Sequence, residues 1–67
     1  MNYSKLKGKI IEVYGSQKDF AAALKKDSAT ISQKLSGKIQ WKREEIVDVC
    51  SVLNIPLEEV SEYFFSK

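Results

Sequence analysis

Helix stop signals recur at short intervals along this chain, and they limit it to short helices. Gly15, Gly37 and the triplet Asn54-Ile55-Pro56 each follow a helix-forming stretch. Glycine and asparagine tolerate the left-handed conformation that closes a helix, and Pro56 pre-sets the first turn of the segment that follows it. A fourth interruption, Lys25-Lys26-Asp27, breaks the apolar pattern for three residues. The 67 residues are therefore divided into five segments, none of which has the turn-bounded alternation of a strand.

Apolar residues recur three or four positions apart within each segment, which predicts amphipathic helices around a shared core. The predicted helices and inward residues are 3–14 with Tyr3, Leu6, Ile10, Val13 and Tyr14; 16–24 with Phe20, Ala21 and Leu24; 28–36 with Ile31 and Leu35; 42–53 with Ile46, Val49, Cys50 and Leu53; and 57–65 with Leu57, Val60 and Phe64. Ser16 with Asp19, and Asp27 alone, are predicted helix caps. The pattern predicts an all-α, compact five-helix bundle in one domain of residues 1–67.

The residues that are missing exclude several kinds of site. Cys50 is the only cysteine and histidine is absent, so we expect neither a disulfide nor a Cys/His metal site. Cys50 lies in an apolar stretch with no basic neighbour and is expected as a buried thiol. Without histidine as a general base or a Gly-rich phosphate loop, the sequence indicates no enzyme and no cofactor.

Neither a membrane segment nor an export signal is indicated. No apolar run approaches the ~20 residues of a membrane span. The opening residues 1–5 lack the basic-then-apolar pattern of a signal peptide. Together with the single cysteine, this predicts a cytoplasmic protein that has no membrane partner.

Charge is distributed unevenly along the chain. Residues 1–43 contain ten basic and three acidic groups, whereas residues 44–67 contain one basic and six acidic groups. The two segments have net charges of +7 and −5, which indicates a basic face for a polyanion and an acidic face turned away from it. The alternative reading is an ordinary solubilising surface, because halves of a sequence need not be halves of a fold.

The third predicted helix has an unusually narrow apolar side. Only Ile31 and Leu35 are large and apolar, and the rest of its surface is small and polar. A helix that serves only the core usually has a wider apolar face. The helix is therefore either weakly anchored to the core or has another role for its outer face.

Helices at 16–24 and 28–36, separated by a three-residue turn, have helix-turn-helix spacing. Gln17 begins the first helix of the pair, Ala21 is small where the two helices cross, and Gly37-Lys38 follow the second helix. In these features the sequence resembles the phage Cro and repressor family, and the resemblance covers nearly the whole chain. Residues 37–38, 41–42, 45–46 and 62–65 are similar to small Cro-like phage proteins of Gram-positive bacteria. Lys25 stands where the family usually has glycine, Lys26 where it has an apolar residue, and Asp27 adds a negative charge.

The resemblance implies a set of DNA contacts. The residues at the family's base-reading positions are Ser28, Ala29, Ser32 and Gln33, of which Gln33 can bond an adenine edge through two atoms. The residues expected to contact phosphates are Gln17, Thr30, Lys34, Lys38, Lys42 and Arg43. For each, the competing reading is a solvated side chain without a ligand.

The resemblance implies a transcriptional regulator that occupies an operator in double-stranded DNA. One short reading helix contacts only about 4–6 base pairs, so a palindromic operator and a homodimer are expected. Tyr63 and Phe65 in the aromatic ending are the predicted dimer interface. The alternative is a protein-interaction module of the same fold, such as an antitoxin or an antirepressor.

Overall fold

Five helices form from the predicted segments in the computed structural model, which describes residues 3–65. Helix α1 spans Ser4–Tyr14, α2 spans Gln17–Ala23, α3 spans Ser28–Leu35 and α4 spans Arg43–Leu53; a 3-10 turn at Leu57–Glu59 leads into α5 at Val60–Phe64. No strand occurs within residues 3–65. The prediction of an all-α, five-helix fold is therefore confirmed.

The helices end where the stop signals lie. Within residues 3–65, four residues at these ends have positive φ: Gly15 at 82°, Lys25 at 58°, Gly37 at 89° and Asn54 at 55°. At the end of α1, the backbone N–H of Gly15 donates to the carbonyl of Ile11 at 2.9 Å. The left-handed conformation of each residue turns the chain away from its helix and allows the next helix to pack back.

The N-terminal caps follow the predictions only in part. The Ser16 hydroxyl accepts a hydrogen bond from the backbone N–H of Asp19 at 3.1 Å, as predicted. Asp27 occupies the N-cap position of α3, but its side chain makes no capping hydrogen bond. Its carbonyl oxygen accepts from the N–H of Ile31 at 3.1 Å, so backbone geometry begins α3 and the predicted carboxylate cap is wrong.

Thirteen apolar residues of the described part of the chain form one buried cluster between the helices. They are Tyr3, Leu6, Ile10, Phe20, Ala21, Ile31, Leu35, Val49, Cys50, Leu53, Ile55, Tyr63 and Phe64. Cys50 is a buried thiol, as predicted, and burial raises its pKa. Val13 and Leu57, which were predicted to face inward, are exposed. Leu57 lies in the 3-10 turn, whose tighter winding moves it off the inner stripe of α5.

The central helix of the bundle is α1, which packs against α2, α4 and α5, while α3 packs on α2. The Tyr14 hydroxyl donates to the carbonyl of Val52 at 3.3 Å and so joins α1 to α4. The Trp41 ring meets Phe64 edge-on at 5.5 Å between centroids. This packing leaves the side of α3 opposite the core open to solvent.

None of the helices in the described part of the chain has both the length and the apolar character to cross a membrane.

Candidate nucleic-acid interface

Helix α3 has two distinct faces. Ile31, Lys34 and Leu35 are buried against the rest of the domain. The four residues predicted to read bases, Ser28, Ala29, Ser32 and Gln33, are all exposed. Because residues three and four apart share one side of a helix, these four form a continuous outer face of α3 that carries no large apolar side chain. The structure thus brings all four together on one accessible surface.

The residues predicted to contact phosphates have different degrees of exposure. Lys38, Lys42 and Arg43 are exposed, and they lie between the end of α3 and the first turn of α4. Gln17 is the first residue of α2 and is half-buried, as is Thr30 in α3.

Hydrogen bonds at the end of α3 hold the Lys38 segment in place. Gly37 has a φ of 89°, and its N–H donates to the carbonyl of Lys34 at 3.2 Å. The N–H of Lys38 donates to the carbonyl of Gln33 at 3.0 Å. This pair of bonds is a Schellman motif, so the position of Lys38 is fixed relative to the outer face of α3.

The turn between α2 and α3 closes in the same way. The N–H of Lys25 donates to the carbonyl of Ala22 at 3.0 Å, and the N–H of Lys26 donates to the carbonyl of Ala21 at 2.9 Å. Lys25 occupies the left-handed position, with φ at 58°. A lysine therefore adopts the conformation for which this position usually selects glycine.

Lys34 is the one predicted phosphate residue that the structure removes from the surface. Its side chain is buried, with 3% of the residue exposed. The Nζ atom donates to Glu45 Oε1 at 2.7 Å and to the carbonyl of Gln40 at 3.3 Å, and it lies 5.7 Å from the centre of the Trp41 ring. Because its ammonium group is already paired inside the fold, the prediction that Lys34 reaches phosphate is wrong.

Glu45 is a hub that joins four parts of the chain. Its Oε1 atom accepts from Lys34 in α3 and from the backbone N–H of Lys42, both at 2.7 Å, and its Oε2 atom lies 3.6 Å from Nζ of Lys26. Burial raises the pKa of the Glu45 carboxyl, but the hydrogen bonds from Lys34 and Lys42 and the charges of Lys34 and Lys26 together bring the pKa below its ordinary value. The ionised carboxylate therefore fixes the end of α3 and the following loop against α4.

The sequence gives only a weak signal for this hub. Glu45 follows Lys42 by three residues, which is the spacing of a capping box, and its carboxylate does accept the Lys42 N–H. Lys34 follows Ile31 by three residues and so lies beside the inner stripe of α3. Both features are local, whereas the bond between Lys34 and Glu45 spans eleven positions.

The aromatic ending of the chain divides into a buried and an exposed part. Tyr63 and Phe64 are buried in the core, so Tyr63 cannot serve in the predicted dimer interface. The centre of the Tyr63 ring lies 4.9 Å from Nζ of Lys5, between α1 and α5.

Phe65 is exposed and is one wall of an apolar groove, which we call the α4–α5 groove. This groove is lined by Arg43, Ile46, Val47, Cys50, Leu57, Val60 and Phe65.

Residues 1–67 match the model of a family described as proteins of unknown function, DUF739. The chain belongs to the DUF739 family. No curated protein matches its sequence. Among residues 3–65 of this DUF739 chain, no group of three His, Cys, Asp or Glu side chains could hold a metal ion.

The DUF739 chain is also similar to a protein of known structure, the modulator of repression (MOR) of the temperate bacteriophage TP901-1 from Lactococcus lactis. The two are 40% identical, the match covers 97% of this chain and 88% of that chain, and the TM-score is 0.86. The DUF739 chain is thus similar in sequence and in fold to a small phage regulatory protein. The finer resemblance to Cro-like repressors stays a prediction.

Proposed function

We propose that this chain is a transcriptional regulator that binds operator DNA sequence-specifically through its α2–turn–α3 unit, a helix-turn-helix of the Cro-like repressor type. The observation that carries the proposal is the outer face of α3, where four exposed residues are small or polar and none is a large apolar residue. A face of this kind can enter the major groove without burying unmatched apolar surface. The similarity to a phage modulator of repression supports a regulatory role.

Each residue of the outer face has a distinct role in this proposal. Gln33 bonds an adenine edge through its amide oxygen and nitrogen, and so reads one base pair with the most selectivity. The hydroxyls of Ser28 and Ser32 can donate or accept and are less selective. Ala29 touches a thymine methyl group.

A second set of residues positions the domain on the phosphate backbone. Lys38, Lys42 and Arg43 contribute positive charge beside the end of α3, and Gln17 and Thr30 contribute polar groups on its other flanks. Such contacts supply affinity and orientation rather than sequence specificity. Lys34 is not part of this set, because its charge is paired with Glu45.

The proposed complex contains two copies of the chain on a palindromic operator in the bacterial cytoplasm. Each copy reads only about 4–6 base pairs, so two half-sites are needed for genomic specificity. The spacing of the half-sites brings the two copies together on DNA, and the exposed Phe65 remains the proposed dimer contact.

Selection of bound sequences from a random DNA pool tests this function directly. We expect enrichment of a palindrome. Gln33→Ala should weaken binding to the enriched sequence by about 1–3 kcal/mol and relax one position, while non-specific binding stays unchanged. As the matched control, Lys38→Ala should weaken binding to all sequences and lower the salt slope by about one unit. Failure to enrich any sequence, or an equal loss on all DNA for Gln33→Ala, would contradict the proposal.

A second candidate function is a protein-interaction module of the antitoxin or antirepressor kind. The exposed apolar side chains of Val47, Leu57 and Phe65 favour it. Gel shifts at two salt concentrations separate the candidates, because DNA binding weakens steeply as salt rises. Binding that depends on the outer face of α3 supports the first candidate, and copurification of a defined regulator or toxin supports the second.

A further inference from the structure

In the proposed complex, two groups of residues contact DNA at the same time. Ser32 and Gln33 lie on the outer face of α3, whereas Lys42 and Arg43 lie where α4 begins. Phosphate contacts fix the orientation in which base edges are read, so the two groups must keep one distance from each other. Residues 36–42, which connect α3 to α4, form neither helix nor strand, so this distance is set by other contacts.

One carboxylate oxygen inside the fold joins the two groups. Glu45 Oε1 accepts from Nζ of Lys34 and from the backbone N–H of Lys42, both at 2.7 Å. Hydrogen bonds of this length to an ionised carboxylate are about twice as strong as neutral ones. Because Lys34 directly follows Gln33 in α3, a base-reading position and a phosphate-contacting position are held together through a single atom.

The same pair also holds the segments on either side of α3. Nζ of Lys34 donates to the carbonyl of Gln40 at 3.3 Å, in the loop after α3. Glu45 Oε2 lies 3.6 Å from Nζ of Lys26, in the turn before α3. The reading helix is thus connected at both of its ends to one side chain of α4.

Neither member of the pair is available to DNA, since Lys34 is 3% exposed and Glu45 is 9% exposed. Stability alone does not require an ion pair at this place, because two apolar residues of similar volume often replace a buried pair without loss. A fully hydrogen-bonded buried network does enforce one arrangement of the groups that it joins, which an apolar contact does not. The pair therefore has a geometric role.

We propose that Glu45 is a positioning residue that determines the sequence specificity of operator binding, by fixing α3 at one distance from Lys42 and Arg43. This role rests on the proposed function of the α2–turn–α3 unit. Without the connection, the positive charge beside α3 remains and still attracts any DNA. The amide of Gln33 is then no longer held where its hydrogen bonds to a base edge are well aligned, and misaligned bonds weaken steeply.

Replacement of both members of the pair tests the proposal. Lys34→Met combined with Glu45→Leu removes the connection, leaves the net charge unchanged and keeps the site filled. The measured quantity is the ratio of the affinities for the selected operator and for a scrambled sequence of the same length. We expect this ratio to fall about tenfold or more, which is the loss of one aligned base contact. The affinity for the scrambled sequence and its salt dependence should stay unchanged.

The ratio separates positioning from stability, because a smaller fraction of folded protein lowers both affinities alike. The matched control is the exposed pair of Lys5 and Glu62, whose charged atoms lie 3.4 Å apart. Lys5→Met combined with Glu62→Leu makes the same chemical change and should keep the parent's ratio. Glu45→Gln retains an oxygen that can accept from Lys34 and Lys42, so its ratio should fall less than that of the double variant.

The outcomes distinguish this role from the proposed function itself. A parent that discriminates between the two sequences, with a Lys34→Met/Glu45→Leu variant that discriminates equally well, would overturn the role of Glu45 and leave operator binding standing. An equal fall of the ratio in the Lys5→Met/Glu62→Leu control would also overturn it. A parent that binds both sequences alike would overturn the proposed function, and the role of Glu45 with it.

Discussion

The outer face of α3 and the α4–α5 groove are both open to solvent on one small domain, but their chemistry is opposite. The α3 face is small and polar, and it is followed in the chain by Lys38, Lys42 and Arg43. The groove is apolar, and among the described residues Arg43 is the one charged residue that lines it. Positive charge beside the α3 face favours a polyanion there, whereas an apolar side chain can gain burial only in the groove.

The two surfaces also differ in how the fold supports them. The C-terminal end of α3 is fixed by a Schellman motif and by the buried pair between Lys34 and Glu45. The groove is formed by α4, a 3-10 turn and the five-residue helix α5 near the end of the chain. A reading helix needs a fixed position to align hydrogen bonds with base edges, whereas apolar contacts tolerate adjustment. The buried pair therefore supports the surface that is proposed to read DNA.

The largest expected difference in the free energy of unfolding is between variants of two adjacent aromatic residues, Phe64 in the core and Phe65 in the groove. Phe64→Ser should destabilise the fold by about 3–5 kcal/mol, because Phe64 is buried and its removal leaves a cavity. Phe65→Ser should change the free energy of unfolding by no more than about 0.5 kcal/mol, because Phe65 is largely exposed. Urea denaturation of both variants checks this. Equal losses in the two variants would mean that the groove is part of the core.

The next effect concerns the support of α3. Lys34→Ala should cost about 3 kcal/mol or more, because it leaves the Glu45 carboxylate buried with its closest charge partner removed. Lys5→Ala is the matched control, since Lys5 pairs with Glu62 at 3.4 Å on an exposed part of the surface, and it should cost less than about 1 kcal/mol. Thermal melts of the two variants measure the difference. A loss for Lys34→Ala as small as that for Lys5→Ala would show that the pair does not hold α3.

A pH titration tests how much the ionised Glu45 carboxylate contributes to the stability of the fold. The pKa of Glu45 is below its ordinary value, so the folded state is stabilised at pH values above that ordinary value, and this contribution disappears as pH falls through the lower folded pKa. The groups facing the carboxylate are Nζ of Lys34, Nζ of Lys26 and the N–H of Lys42. Urea denaturation from pH 7 to pH 3 should show less loss of stability with acid in Glu45→Gln than in the parent. Glu58→Gln, at an exposed site, is the control and should keep the parent's profile.

The features that could be predicted from the sequence are local ones. Gly37 and Asn54 end their helices because only a few residue types adopt positive φ easily, and this preference depends on no distant contact. The buried and exposed sides of α3 follow from the spacing of Ile31 and Leu35 in the same way. The outer face of α3 was therefore predictable residue by residue.

The features that could not be predicted depend on contacts between distant residues or on helix type. Lys34 looks like a solvated lysine until Glu45, eleven positions later, is folded against it. Tyr63 belongs to the core because α5 packs against α1, which no pattern within residues 57–65 reveals. Leu57 left the predicted stripe because three residues wind as a 3-10 turn rather than an α-helix, and periodicity alone does not distinguish the two.

The smallest expected effect concerns the turn that joins α2 to α3. Lys25→Gly should stabilise the fold by up to about 1 kcal/mol, because glycine adopts the left-handed φ of 58° without the steric cost that a lysine Cβ brings. The greater freedom of glycine in the unfolded chain offsets part of this gain.

Lys18→Gly is the matched control: Lys18 lies within the helix Gln17–Ala23, so the same change should destabilise by about 0.5–1 kcal/mol. Opposite signs in the two melting curves would confirm the assignment, and a lower melting temperature for Lys25→Gly would contradict it. Because Lys25→Gly also removes a positive charge near α3, the proposed DNA binding should weaken slightly at low salt.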